Sequence, residues 1–283
     1  MSPFTEFHAP RTLDEALEIL RDKAAAACVL AGGTDVMVRV RRGVVPAERT
    51  TLLSVHRIAG MRGCRRENGE LVVGAATTAS DLGREPLVAE CAPILAHVAN
   101  RLASAQVRNA ATIGGNLANA SPAGDLINPL LLLDARLVLA SSRGRRTVAV
   151  DEFFTGPGES VLRPDELLVE VRIDVPSPDR VFRFQKAGTR PAMECSVVTV
   201  GLAFTATSQV FEQVRVAFGS SAPTPLRGRK TEAVLEGQRA TPEVVERAAR
   251  AAKEEVSPIS DIRGSECYRR ALVGAFVTRL LHD

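Results

Sequence analysis

The chain has no tryptophan, one tyrosine (Tyr268) and ten phenylalanines among 283 residues. So few aromatic rings leave little on which nucleic-acid bases would stack. The two short basic clusters, Arg39-Val40-Arg41-Arg42 and Arg143-Gly144-Arg145-Arg146, have no aromatics between them. They read as solvated loop or hairpin residues, and no nucleic-acid partner is expected. Charge of one sign is also lacking, because 36 basic residues stand against 33 acidic ones. No apolar run approaches the ~18 residues of a membrane helix, and the leucine cluster Leu130–Leu133 stops at Asp134. Met1-Ser2-Pro3-Phe4-Thr5-Glu6 has neither a basic nor an apolar leader segment, so a cytoplasmic location is the expectation.

Chemistry-bearing clusters are missing too. The five cysteines, Cys28, Cys64, Cys91, Cys195 and Cys267, are odd in number and widely scattered, which suits reduced thiols in a reducing compartment. Zinc and iron–sulfur sites draw on closely spaced pairs; with only four scattered histidines, no metal site is expected. There is no Gly-Lys-Ser/Thr phosphate loop and no Gly-x-Ser-x-Gly elbow, which argues against a phosphate-loop kinase and a serine hydrolase. Gly156-Pro157-Gly158 has proline in the middle and no following glycine, so it is a poor dinucleotide fingerprint. If this chain takes part in chemistry, a bound cofactor must supply it.

What the chain does have is two double-glycine loops, Ala31-Gly32-Gly33-Thr34-Asp35 and Ala111-Thr112-Ile113-Gly114-Gly115-Asn116, each after an apolar stretch. Glycine turns sharply and reaches positive φ at little cost, so such loops can aim backbone N–H groups at an anion. A pair of them can hold both ends of one pyrophosphate. Each alone reads more readily as an ordinary tight turn; the pair together is equally readable as turns or as a cradle.

The remaining pattern predicts an α+β chain. Thr12 and Glu15 form a capping box ahead of Leu13, Ala16, Leu17 and Leu20, which predicts a helix over 12–22. Strands are expected at 28–31, 50–55 and 71–76, and a long helix at 86–103 leads into the second glycine loop. Strands at 136–140, 146–150 and 167–173 precede Asp174-Val175-Pro176-Ser177-Pro178-Asp179, the best linker in the chain. Beyond it, runs at 181–187, 195–204 and 210–218 read as a three-stranded antiparallel meander. Helices at 242–256, capped by Thr241 with Pro242 first, and at 265–282 complete a small second domain. The boundary falls near 177, dividing residues 1–176 from 177–283.

The stretch Ala111–Leu117 with Ser121-Pro122-Ala123-Gly124-Asp125-Leu126, together with Leu30–Val36, resembles the FAD-binding subunits of the molybdenum hydroxylases. Among them it is most similar to the separate flavin subunits of bacterial xanthine dehydrogenases. It is less similar to carbon monoxide dehydrogenase medium subunits, where a His or Gln followed by Ser usually replaces Thr34-Asp35. Thr155–Gly158, Phe218–Pro225 and Ser260-Asp261-Ile262-Arg263 also match that family. The resemblance implies a vanillyl-alcohol-oxidase (PCMH-type) FAD domain followed by a C-terminal domain like that of the carbon monoxide dehydrogenase flavoprotein. It implies that Val29, Leu30, Ala31, Gly32, Gly33, Thr34, Asp35 and Val36, with Thr112, Gly114, Gly115 and Asn116, wrap the FAD pyrophosphate.

By the same likeness Asp125 hydrogen-bonds the adenosine part, and Thr77 and Leu168 are cofactor-binding positions. Lys186 lies close to the isoalloxazine, as a cation where reduced flavin gathers negative charge. Read without the family, Asp125 is a turn or cap residue, Thr77 a strand end and Lys186 a solvent-facing strand lysine. The lack of aromatics means that Phe, aliphatic residues or a partner must shield the flavin.

No catalytic residue of its own is expected. The implied role is electron transfer within a complex, likened to a dimer of heterotrimers. A molybdenum-cofactor large subunit would hydroxylate a purine or related heterocycle, and a small subunit with two 2Fe–2S clusters would reduce FAD here. NAD+ or another acceptor would take the electrons. The alternatives are a stand-alone FAD oxidoreductase and a nucleotide-binding module without redox activity.

Overall fold

The computed structural model describes residues 3–190, 195–207 and 210–282; of the N-terminal stretch, Met1 and Ser2 lie outside the described residues. The chain opens with a small parallel sheet built from β1 (Glu6–His8), β2 (Ala27–Leu30) and β3 (Thr51–Ser54), in the order β1-β3-β2. Helix α1 (Leu13–Lys23) connects the first two strands, and α2 (Val36–Arg41) the second and third. The capping box forms as expected: Thr12 Oγ1 accepts from the Glu15 N–H, and the Glu15 carboxylate accepts from the Thr12 N–H. Ala16, Leu17 and Leu20 are the buried stripe of α1. By contrast α2 buries none of its residues.

A five-stranded antiparallel sheet follows, ordered β4-β5-β10-β6-β7. Its strands are β4 (Cys64–Glu67), β5 (Glu70–Gly74), β6 (Arg136–Ser141), β7 (Gly144–Ala149) and β10 (Leu167–Asp174). A small hairpin, β8 (Phe154–Gly156) and β9 (Glu159–Ser160), uses Gly158 at φ 78° to turn. Between β5 and β6 run six short helices: α3 (Ala79–Arg84), α4 (Pro86–Cys91), α5 (Pro93–Arg101), α6 (Ala105–Arg108), α7 (Ile113–Ala118) and α8 (Ile127–Leu132). The single helix expected over 86–103 is thus two, α4 and α5. Pro93 has no N–H to donate and its ring crowds the preceding turn, so Ala92 leaves the helical region at φ −147°, ψ 62° and Pro93 starts afresh. Helix α8 escaped the sequence pattern because all six of its residues are buried, which erases the one-sided periodicity that betrays a surface helix.

The last third forms a second antiparallel sheet, β11 (Arg180–Ala187), β12 (Val198–Thr207), β13 (Val210–Gly219) and β14 (Leu226–Arg227), with α9 (Arg229–Leu235), α10 (Pro242–Glu255) and α11 (Glu266–His282). The meander carries a fourth strand beyond the three expected, two residues paired to the end of β13. Successive side chains of β12 point to opposite faces. Val198, Val200, Leu202 and Phe204 join Val244, Val245, Ala248 and Val273 in one core, whereas Ala203 belongs to the core of the first domain.

Gly201 lies on that second face, under α8. A Cβ there would sit 2.1 Å from Asn128 Oδ1 and 2.8 Å from Leu132 Cδ1. Asn128, itself buried, donates from Nδ2 to the Ala217 carbonyl at 3.0 Å, tying α8 to β13. No helix among the described residues is long and apolar enough to cross a membrane.

Acid–base pairs run across the larger sheet. Arg65 meets Glu170 at 2.7 Å, Arg172 meets Glu170 at 3.2 Å and Glu70 at 2.9 Å, and Arg136 bridges Glu70 and Asp174, the latter at 2.7 Å. The guanidinium of Arg136 holds both the Glu70 and the Asp174 carboxyls below their ordinary values. For Glu170 burial pushes upward, but the Arg65 and Arg172 guanidiniums together hold it below its ordinary value.

Two measurements check this packing. Gly201→Ala should cost about 1–3 kcal/mol in urea unfolding, the usual price of overpacking. A carboxylate whose folded pKa is depressed stabilises above its unfolded value and loses that contribution as pH falls through the folded one. Urea midpoints should therefore drop as pH falls below the ordinary carboxylate values of 4.5 and 3.8, and Arg136→Gln should flatten that acid limb.

Candidate functional site

The first glycine loop leaves β2 and enters α2. Only Gly33 of the four loop glycines takes positive φ, 71°. The N–H groups of Gly32, Gly33, Thr34, Asp35 and Val36 donate to no acceptor among the described residues. Gly32, Gly33, Asp35 and Val36 are half-buried and Thr34 is exposed. Five consecutive open donors are what an anion cradle requires.

The second loop differs. Its N–H groups are already used: Ile113 donates to Thr77 O (3.0 Å), Gly114 to Ala75 O (2.8 Å), Gly115 to Thr112 Oγ1 (3.0 Å) and Asn116 to Thr112 O (2.9 Å). Gly114 and Gly115 sit in the first turn of α7 behind the Thr112 cap. Their role is close approach. A Cβ on Gly114 would lie 2.7 Å from Ala75 Cβ and O, and one on Gly115 2.9 Å from Thr112 Oγ1. Open N–H groups are thus found in the first loop, whereas those of the second are used within the protein. Thr77 is buried beneath the second loop, donating from Oγ1 to Gly63 O at 3.1 Å while its carbonyl accepts from Ile113. Leu168 lies at a bulge of β10, also buried, beside Val169, whose carbonyl takes the Ala75 N–H.

The two loops do meet. A Cβ on Gly32 would fall 1.7 Å from the Ala110 carbonyl oxygen, and Ala31 Cβ is 4.0 Å from the ideal Cβ position of Gly115. Beside this contact is a cavity of 440 Å3 at the carboxyl ends of the parallel strands: Ala9 follows β1, Ala31 and Gly32 follow β2, His56 and Arg57 follow β3, and Asn109 and Ala110 close the far wall. Crevices at the carboxyl ends of parallel strands are where nucleotides dock on open sheets. Arg57 makes this lining partly basic. Periodicity and glycine patterns gave no hint of His56, Arg57 or Asn109.

The other matched segments converge behind the second loop. Gly124 abuts Asn116, whose Oδ1 is buried without a partner. Asp125 accepts from Lys186 Nζ at 2.6 Å on Oδ2 and from Ser196 Oγ on Oδ1. Pro122 O accepts from Ser220 N–H at 2.8 Å. Arg269, 3% exposed, donates to the Val197 and Ser220 carbonyls at 2.9 Å and to Asp261 at 2.6 Å. Burial pushes the Asp261 carboxyl upward, but the Arg263 N–H and the Arg269 guanidinium hold it below its ordinary value. Residues 121–125, 186, 196, 218–221 and 261–269 are thus one joint between the two domains.

Residues 2–177 match the FAD binding domain in molybdopterin dehydrogenase, and residues 183–283 match the CO dehydrogenase flavoprotein C-terminal domain. The chain belongs to this flavoprotein family. The chain is 33% identical to the carbon monoxide dehydrogenase medium chain of Hydrogenophaga pseudoflava, over 99% of this chain and 96% of that one. It is 30% identical to the xanthine dehydrogenase FAD-binding subunit of Escherichia coli O157:H7, over 100% and 97%. It is also 30% identical to the nicotinate dehydrogenase FAD-subunit of Eubacterium barkeri, over 98% and 95%. These values are too close to favour the xanthine branch on overall likeness.

Among solved structures, carbon monoxide dehydrogenase from H. pseudoflava superposes with TM-score 0.96 at 32% identity, covering 100% of this chain and 97% of that one. Quinoline 2-oxidoreductase from Pseudomonas putida 86 gives 0.91 at 28%, covering 100% and 97%. This flavoprotein is an oxidoreductase subunit, and its cofactor is FAD. The residues present fit that cofactor: open donors in the first loop suit a diphosphate, and the orphaned Asn116 oxygen suits a hydroxyl or N–H donor.

Gly32→Ala tests the junction of the loops. Its Cβ would meet a carbonyl oxygen that cannot move without shifting α7, so bound FAD per chain should fall about tenfold or more, as a loss of ~1.4 kcal/mol or more gives. The visible absorbance of protein purified with excess FAD measures it, with circular dichroism checking the rest of the fold.

Proposed function

We propose that this chain is the electron-transfer subunit of a xanthine dehydrogenase-like molybdenum hydroxylase. In this reading a large molybdenum-cofactor subunit hydroxylates a purine or related heterocycle, and a small subunit bearing 2Fe–2S clusters passes the electrons on. NAD+ or another acceptor receives them, in a cytoplasmic dimer of heterotrimers. Thr34-Asp35 is what favours the xanthine branch, against relatives whose names give carbon monoxide or nicotinate.

The observation that carries the electron-transfer role is the cradle of five open N–H groups at the rim of the strand-end cavity. Bound FAD supplies reversible two-electron chemistry. The chain's own residues have to hold and orient it. Gly32 to Val36 would take the diphosphate, with Arg57 contributing positive charge. Asn116 would accept a hydrogen bond from a cofactor donor, and Lys186, half-buried at the domain joint, would present a cation to the ring system. Thr77 and Leu168 would brace the loop against the sheet from below.

The purified chain should carry the two visible absorption bands of oxidised flavin. Co-expressed with an iron–sulfur and a molybdenum subunit, it should form a complex that reduces NAD+ with a purine, while the isolated chain turns over no purine. Turnover by the isolated chain would instead make it a stand-alone oxidoreductase. Binding of an adenine nucleotide without flavin bands would make it a nucleotide-binding module.

A further inference from the structure

Asp125 and Lys186 enter the family resemblance at opposite ends of the cofactor, one at the adenosine and one at the isoalloxazine. In the structure their charged atoms are 2.6 Å apart, on side chains 8% and 18% exposed. FAD bound in an extended conformation separates its two ring systems, so one ion pair cannot serve both ends.

Both carboxylate oxygens of Asp125 already hold a donor from the second domain, Lys186 on Oδ2 and Ser196 on Oδ1. A carboxylate so nearly removed from water requires such compensation. Lys186 is on β11, paired with Thr199 of β12, and Ser196 stands just before that strand. Both donors are therefore set by one sheet. Behind Asp125, Gly124 fits against Asn116 of the second loop with no room to spare.

We propose that Asp125 is the counter-ion and positioning residue of Lys186, oriented by Ser196, and that this trio sets how much positive charge the isoalloxazine meets. The inference rests on the flavin-subunit reading above. Reduced flavin carries extra negative charge, so a nearby ammonium favours reduction and a carboxylate paired to that ammonium tempers the effect. The adenosine role assigned to Asp125 by resemblance is replaced by an electrostatic one.

The test uses the full chain with FAD bound, equilibrated against an indicator dye at fixed poise. Asp125→Asn takes a negative charge from beside the ammonium and should raise the ratio of reduced to oxidised flavin about tenfold, equivalent to ~1.4 kcal/mol. FAD should be retained, and Asp125→Glu should return the ratio toward that of the unaltered chain. Lys186→Gln should lower the ratio by a similar factor and also lower the melting temperature by leaving a buried carboxylate unpaired. Adding Asp125→Asn to Lys186→Gln should restore most of that lost stability, a readout that survives even if a single variant folds poorly.

Loss of FAD from Asp125→Asn, with an unchanged ratio in the flavin that remains, would restore the adenosine role and overturn the proposal. So would additive melting shifts in the double variant. Absence of flavin bands from the unaltered chain would instead bring down the flavin-subunit reading itself.

Discussion

Gly32 lies against the Ala110 carbonyl with no space for a Cβ between them, and the geometry of the flavin domain depends on that approach. The parallel sheet ends there, and the helices of the antiparallel sheet begin their run into the second glycine loop. With the two backbones in contact, the open donors of Gly32 to Val36 stand beside a cavity whose far wall is Asn109 and Ala110. A side chain at Gly32 would push the cradle away from that wall. The second loop supports this arrangement through its own tight contact, Gly114 on Ala75, and through four N–H groups turned inward to the protein. The first loop leaves its N–H groups open and the second turns its own into the packing.

A second constraint operates between the domains. Arg269 is almost wholly buried and collects the Val197 and Ser220 carbonyls and the Asp261 carboxylate. Ser220 in turn donates to Pro122, and Ser196, next to Val197, donates to Asp125. Arg269 Nε is buried without a partner, but the hydrogen bonds of its two terminal nitrogens offset much of the cost of burying the charge, and this network ties the C-terminal sheet to the flavin domain. Gly201 under α8 fixes the other end of the same contact. Lys186 thereby reaches a buried carboxylate of the first domain, which places its charge far more tightly than a surface strand would.

Elements with a strong local signature were legible in the chain. The capping box at Thr12 and Glu15, the proline start of α10 behind Thr241 and the alternating strands of the meander all appear within a few residues of expectation. Less was readable where the local rule had a competitor. Pro93 cut a continuous apolar pattern in two, and complete burial hid α8 by removing its polar face. At the site, the glycine pairs and Asp125 were visible as motifs. Their division of labour was not, because whether an N–H group is open or used depends on which carbonyl the fold brings opposite it.

The sequence by itself determined the two α+β domains, because caps, turns and strand alternation are local rules with a fixed spacing, and its likeness to the molybdenum hydroxylase flavin subunits gave the family and the FAD cofactor. Tertiary structure alone decided that Gly33 turns while Gly114 packs. It also decided that His56 and Arg57 line a cavity with the first loop and that Asp125, Lys186 and Ser196 share one ion-pair network. Those contacts join residues up to 71 positions apart, and no local periodicity carries the distance between two charges that meet only when separate sheets are packed.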